Sequence, residues 1–163
     1  MDDGRPVESD FEVGETRGGR ARPIHLSWRY LAIVFAGGAV GTAAREGLAL
    51  VIPNVDGIPL AIVLINIVGA FLLGVLLEAL SRGGPDEGRR RGIRLLIGTG
   101  FLGGFTTYST LAVGTIQLAA ESSGLAIAYS VGSIVFGALA SWAGIAAGAS
   151  IHRRVASGGR ASE

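Results

Sequence analysis

Four long stretches of this chain are nearly free of charge, and polar residues gather between and outside them. They run from about 28 to 52, 58 to 80, 93 to 120 and 125 to 151. A helix needs about 20 apolar residues to cross a bilayer, and each stretch supplies that many or more. The pattern predicts an all-α integral membrane protein with four transmembrane helices. Trp28 and Tyr30 suit an interfacial belt where the first span begins. Pro53-Asn54-Val55-Asp56-Gly57 and Glu121 to Gly124 read as turns, and Ser81 to Gly92 as a loop.

The third stretch is longer than a straight span requires, and its middle is unusual. Gly103-Gly104 weakens a helix there, and Thr106, Thr107, Ser109 and Thr110 offer hydroxyls to freed backbone groups. The expectation is a third helix broken near its centre. At that depth lipid satisfies no exposed amide or carbonyl, so such a break lines a binding site or a pore. Exposed carbonyls would favour a small cation, while hydroxyl and amide donors would favour an anion. A face of small residues for close helix packing is the competing reading.

Charge distribution fixes an orientation. The net charge of +1 says little as a sum. Arg5, Arg17, Arg20, Arg22 and Arg29 precede or open the first span, Arg82, Arg89, Arg90, Arg91 and Arg94 surround the middle loop, and Arg153, Arg154 and Arg160 follow the last span. With four spans these all fall on one side, and only Arg45 lies toward the other. The positive-inside rule then places both termini in the cytoplasm. Residues 1–27 read as a disordered cytoplasmic tail, 28–151 as the membrane domain and 152–163 as a second cytoplasmic tail. No lysine and no cysteine occurs, so neither a disulfide nor a thiolate metal site arises.

Polar groups inside the spans are few. Asn66 lies about eight residues into the second span, about 12 Å along the helix and near mid-bilayer. It reads either as an interhelical hydrogen-bonding group, worth about 1 kcal/mol, or as a pore residue. Tyr129, Ser133, Gly137 and Ser141 recur every fourth residue on one face of the fourth span, as a packing face or a polar track for an ion. Gly37 and Gly41 share a face of the first span where another helix could approach closely, and Arg45 reads as a structural anchor near the interface. His25 and His152 have no companion ligands. No phosphate loop, catalytic triad or paired carboxylate occurs, so nothing indicates an enzyme, and nothing points to nucleic acid.

Three runs carry a resemblance to a known family. They are Gly37-Gly38-x-x-Gly41-x-x-x-Arg45, Asn66-x-x-Gly69-x-Phe71-x-x-Gly74, and Gly100-Phe101-x-Gly103-Gly104-Phe105-Thr106-Thr107-Tyr108-Ser109-Thr110. Over roughly residues 30 to 150 the chain resembles the Fluc (CrcB) family of small fluoride channels. The resemblance implies an antiparallel dimer of inverted subunits in a bacterial cell membrane, releasing fluoride passively from the cytoplasm. Fluoride enters as HF from acidic surroundings and is trapped by dissociation. It implies a structural, non-transported Na+ held by carbonyls at the dimer centre, here those of Gly103 and Thr106. It implies an ion pathway through Asn66, Tyr108, Ser109, Thr110, Tyr129 and Ser133. The chain departs from the family where Tyr108 and Leu111 stand in place of two phenylalanines, Ile62 in place of a polar residue and Gly137 in place of a serine.

The one-sided arginines bear on assembly. A homodimer of opposed copies needs a chain that inserts both ways, whereas this one is strongly biased. The expectation is one half of a heterodimer, paired with an oppositely oriented homologous subunit. Two other functions compete: a non-conducting assembly subunit of such a channel, and a proton-coupled exporter of small cations. The exporter would need a membrane-embedded carboxylate, and neither Glu46 nor Glu78 is well placed for that.

Overall fold

The structure is a computed structural model that describes residues 27–82 and 86–160, with backbone alone described from 152 to 160. The tail of residues 1–26, with His25 in it, and the last three residues lie outside that description, as does Pro85.

Every regular element among the described residues is a helix, and no strand occurs among them. Helix α1 spans Trp28–Val51 and α2 spans Leu60–Ser81. A short α3, Gly88–Ile93, passes directly into a π-helical segment, Arg94–Leu102, and then into a single turn of α-helix, α4, Gly103–Phe105. The backbone is extended at Thr106 and Thr107 before α5 begins at Tyr108 and continues to Glu121. Helix α6 runs from Ser123 to Arg160. Among the described residues, three helices are long and apolar enough to cross a membrane: Trp28–Val51, Leu60–Ser81 and the Ser123–Ile151 part of α6.

Several boundaries differ from the sequence reading. Helix α2 starts at Leu60 rather than near Ile58. Val55 and Ile58 exchange backbone hydrogen bonds of 3.1 and 2.9 Å across a tight turn, with Asp56 and Gly57 in left-handed conformations, and Pro59 follows. Asp and Gly are the residues that tolerate this geometry, which holds the chain out of the helix for two more residues. The turn expected over Glu121 to Gly124 narrows to Ser122, whose Oγ accepts the Leu125 amide at 3.4 Å and so caps α6. Helix α6 continues past residue 151 through the segment read as a tail, where Ala and Arg are strong helix formers.

The helices pack through glycine more than through large side chains. In π geometry, residues five apart stack on one face. Leu96 and Phe101 are so placed, and their backbones lie against α1 at Gly37 and Gly41, the buried residues of that helix. A Cβ on Gly41 would coincide with the Phe101 carbonyl, and one on Gly37 with the Leu96 carbonyl. Gly74 of α2 and Gly144 of α6 make the matching approach between those two helices, against Ser141 O and Phe71 O. Two small apolar clusters remain. One joins Ile62, Leu111, Leu118, Ala126 and Tyr129, and the other joins Ala61, Ile65 and Phe105, with the Phe101 and Phe105 rings stacked at 5.7 Å. Much of the outer surface is apolar: Phe35, Leu50, Ile116 and Trp142 are each more than 70% exposed. Apolar exposure on that scale marks contact with lipid or protein.

Gly41→Leu forces Phe101 away and is expected to lower stability by about 1–3 kcal/mol or more, as over-packing of a tight contact does. Gly47, where a Cβ meets nothing within 4 Å, is the control. Thermal denaturation of detergent-solubilised protein should show a marked drop in Tm for Gly41→Leu and little change for Gly47→Leu.

Candidate functional site

The interruption at Thr106–Thr107 is organised by one side chain on another helix. Asn66 of α2 accepts the Thr107 amide on Oδ1 at 2.8 Å and donates Nδ2 to the Thr107 carbonyl at 3.0 Å. This is a two-point clamp of a side-chain amide on a peptide group. It is the interhelical hydrogen-bonding role considered for Asn66, and its partner is backbone rather than another side chain.

The clamp redirects the helix ladder. In a continuing α-helix the Thr107 amide would bond the Gly103 carbonyl. Here that amide serves Asn66, so Gly103 O loses its helical donor. The Thr110 amide would likewise serve Thr106 O, but bonds the Thr107 hydroxyl at 3.2 Å. Thr107 is thereby the N-cap of α5, with extended backbone and Oγ1 accepting from the third residue of the helix. Upstream, Leu102 O accepts both the Thr106 amide at 3.0 Å and the Thr106 hydroxyl at 2.9 Å. A helix C-terminus, partially negative, thus lies beside a helix N-terminus, partially positive.

Local sequence makes this possible. Gly69, one turn beyond Asn66 on α2, leaves the space that the Thr106 methyl fills. Gly103 is exposed, and a Cβ there would meet nothing within 4 Å. Gly104 lies backbone to backbone with Gly38 of α1, and its carbonyl accepts the Thr42 hydroxyl at 3.4 Å.

An open groove of about 380 Å³ runs along this junction. Asn66, Gly103, Thr106, Tyr108 and Ser133 line it, and so do Thr107, Gly69, Leu111 and Gly137. Asn66 keeps one N–H beyond the one given to Thr107. Ser133 is buried and donates its hydroxyl to Tyr129 O at 2.6 Å. Tyr108 is 79% exposed.

The remaining candidates lie outside the groove. Ser109 and Thr110 are exposed and sit at 3.2 and 3.0 Å from the Thr107 hydroxyl. The Tyr129 ring is buried in the apolar cluster with Leu111 and Leu118, and its hydroxyl, near Gly114, has no hydrogen-bond partner among the described residues. Gly37 and Gly41 lie on the far side of the π-helical segment. Arg45 pairs with Glu46 at 3.1 Å, and its Nε is buried without a partner among the described residues. Thr107 is the residue that sequence reasoning undervalued. Its signal was present, since a Thr immediately before a renewed apolar helix is an N-cap pattern.

Asn66→Ala leaves the Thr107 amide and carbonyl without partners and should cost about 1–3 kcal/mol for each. Hydrogen exchange read by mass spectrometry should show faster exchange confined to the peptide spanning Thr106 to Thr110. Unchanged exchange there would mean that Asn66 does not hold the junction.

Sequence comparison supplies the remaining context. The family model for "CrcB-like protein, Camphor Resistance (CrcB)" matches residues 32–145. The Fluoride-specific ion channel FluC 2 of Leifsonia xyli subsp. xyli is 53% identical over 130 residues, covering 79% of this chain and 90% of that protein. The Fluoride-specific ion channel FluC 1 of Cutibacterium acnes is 50% identical over 117 residues, covering 71% and 82%. The Fluoride-specific ion channel FluC of Methanopyrus kandleri is 37% identical over 127 residues, covering 76% and 92%. The matched region contains every helix that builds the junction, and this chain belongs to the CrcB family.

Proposed function

We propose that this chain is a subunit of a fluoride-specific channel that lowers cytoplasmic fluoride by passive efflux, and not an enzyme. The observation that carries the proposal is the Asn66–Thr107 junction beside an open groove, in a chain whose relatives are named as fluoride-specific ion channels. The groove offers donors suited to a small, strongly hydrated anion: the second Asn66 N–H, the exposed Tyr108 and the Ser133 hydroxyl, with the exposed hydroxyls of Ser109 and Thr110 just outside it. Ser133 must swing its proton from Tyr129 O to donate to an ion, and Tyr129 carries an unpartnered hydroxyl one turn away.

In this proposal α1, α2, the composite segment from Gly88 to Glu121 and α6 each cross a bacterial cell membrane, with residues 1–27 and 152–163 as cytoplasmic tails. The composite segment is the interrupted third span. The arginine distribution supports this orientation. A structural Na+ fits the carbonyls of Gly103 and Thr106, both of which lack their helical donors, and hard cations prefer such oxygen ligands. Bound there, the ion would offset the partial negative charge of the carbonyl ends beside an anion path. Gly103 lies on an exposed face, in keeping with a site completed by a second, inverted subunit.

The partner is proposed to be an oppositely oriented homologue rather than a second copy, because the arginine bias resists insertion in both directions. A non-conducting assembly role is the second reading. It is favoured by Leu111, a buried aliphatic residue lining the groove.

Fluoride efflux from liposomes separates these readings. This chain alone is expected to give none, the reconstituted pair rapid efflux, and the pair with Asn66→Asp in this chain at least a ten-fold reduction, because a carboxylate repels the anion and can no longer donate to the Thr107 carbonyl. Efflux from this chain alone would overturn the heterodimer. Full efflux with Asn66→Asp, together with undiminished efflux when Tyr108 and Ser133 are each replaced by Ala, would favour the assembly role. Replacing Na+ with a bulky organic cation on both sides should abolish efflux while the protein stays folded.

A further inference from the structure

A second groove, of about 360 Å³, lies where α2 ends and α3 begins, far along α2 from the junction. Leu77, Leu80, Ser81, Asp86, Arg90 and Arg94 line it. One wall is apolar and the other cationic. Leu77 is 46% exposed and continues the apolar surface of α2 into the groove. At the other wall Arg90 donates to the Leu80 carbonyl, which holds its guanidinium over the end of the apolar surface. Arg94 bonds Asp86 through Nε at 2.9 Å and pairs with the same oxygen at 2.6 Å.

Charge is not balanced here. The single carboxylate oxygen of Asp86 that pairs with Arg94 also faces Arg91 at 3.9 Å. Glu78 is engaged by Arg82. Each guanidinium carries five N–H donors, and these contacts leave several on Arg90 and Arg94 unspent. Exposed Arg89 adds to the positive field and exposed Glu87 offsets part of it, leaving arginine in excess over carboxylate. The groove sits where the apolar run of α2 gives way to arginines, the level of lipid headgroups in a chain that spans a membrane.

We propose that this groove binds an anionic phospholipid, with the headgroup phosphate between Arg90 and Arg94 and an acyl chain along Leu77 and Leu80. Basic pockets between membrane helices recognise anionic headgroups in this way, and arginine suits phosphate because its planar fork bonds two oxygens at once. A free phosphate ion would make no use of the leucine wall. The proposal rests on the chain lying in a membrane and not on what it conducts, so fluoride efflux has no part in its test.

The test is native mass spectrometry of the full-length chain in micelles doped with equal amounts of phosphatidylglycerol and phosphatidylcholine. Retention of phosphatidylglycerol is expected to exceed that of phosphatidylcholine at least ten-fold, and to fall to the phosphatidylcholine level in Arg90→Gln/Arg94→Gln. Millimolar inorganic phosphate should not displace the lipid. Equal retention of the two lipids, an unchanged double variant, or displacement by inorganic phosphate each overturns the proposal. Should the double variant not fold, Leu77→Ser/Leu80→Ser removes the apolar wall while leaving every charge in place. It is expected to lose phosphatidylglycerol to the same extent, and retention equal to the unmodified chain overturns the proposal.

Discussion

A peptide group held sideways is the interaction on which the site depends. Asn66 satisfies both the amide and the carbonyl of Thr107, so the helix can stop there without leaving either group unpaired. Everything else at the junction follows from that exchange. The Gly103 carbonyl is released, the Thr107 hydroxyl is turned to cap α5, and two helix ends of opposite polarity come side by side. Were Asn66 apolar, the same backbone would either close into an ordinary helix or bury two unsatisfied groups at about 1–3 kcal/mol each. The residue that shapes the site also lines its groove: the clamp uses Oδ1 and one N–H of the amide and leaves the second N–H unspent.

Close backbone packing provides the rigidity this arrangement needs. The π-helical segment presents the Leu96 and Phe101 carbonyls to a strip of α1 that Gly37 and Gly41 leave bare, and Gly74 and Gly144 repeat the device between α2 and α6. Such contacts replace bulk with proximity, as expected where lipid removes the hydrophobic drive for helices to associate. They also fix the π-helical segment against α1 immediately before the chain departs from helix at Thr106.

The apolar pattern revealed the helical content and the approximate place of each element, because hydrophobicity averaged over a span is robust to single residues. The backbone interruption falls within the run of glycines and hydroxyls that sequence singled out, since weak helix formers and a capping threonine are local signals. Three features were not legible. The π-helical winding of Arg94–Leu102 depends on what α1 offers it, and nothing in an apolar run distinguishes five residues from four per hydrogen-bonded loop. The partner of Asn66 is 41 positions away, a separation that no local pattern encodes. Tyr129 and Ser133 share a helix face, yet only Ser133 reaches the groove, because the tyrosine ring is long enough to enter the neighbouring apolar cluster.

The thin interior has a thermodynamic corollary. Ile65 and Leu118 are the largest side chains removed almost completely from the surroundings, while large apolar residues cover the outside. When a water-soluble domain comes apart, its heat capacity rises because apolar surface meets water. Here the helices would separate into hydrocarbon, and most of that surface would exchange one apolar neighbour for another. The heat-capacity increment should therefore be small for the chain's size and the stability curve nearly flat with temperature. Cold would do little to loosen the fold, and the enthalpy of backbone contacts such as those at Gly41 and Asn66 would set its limit on warming.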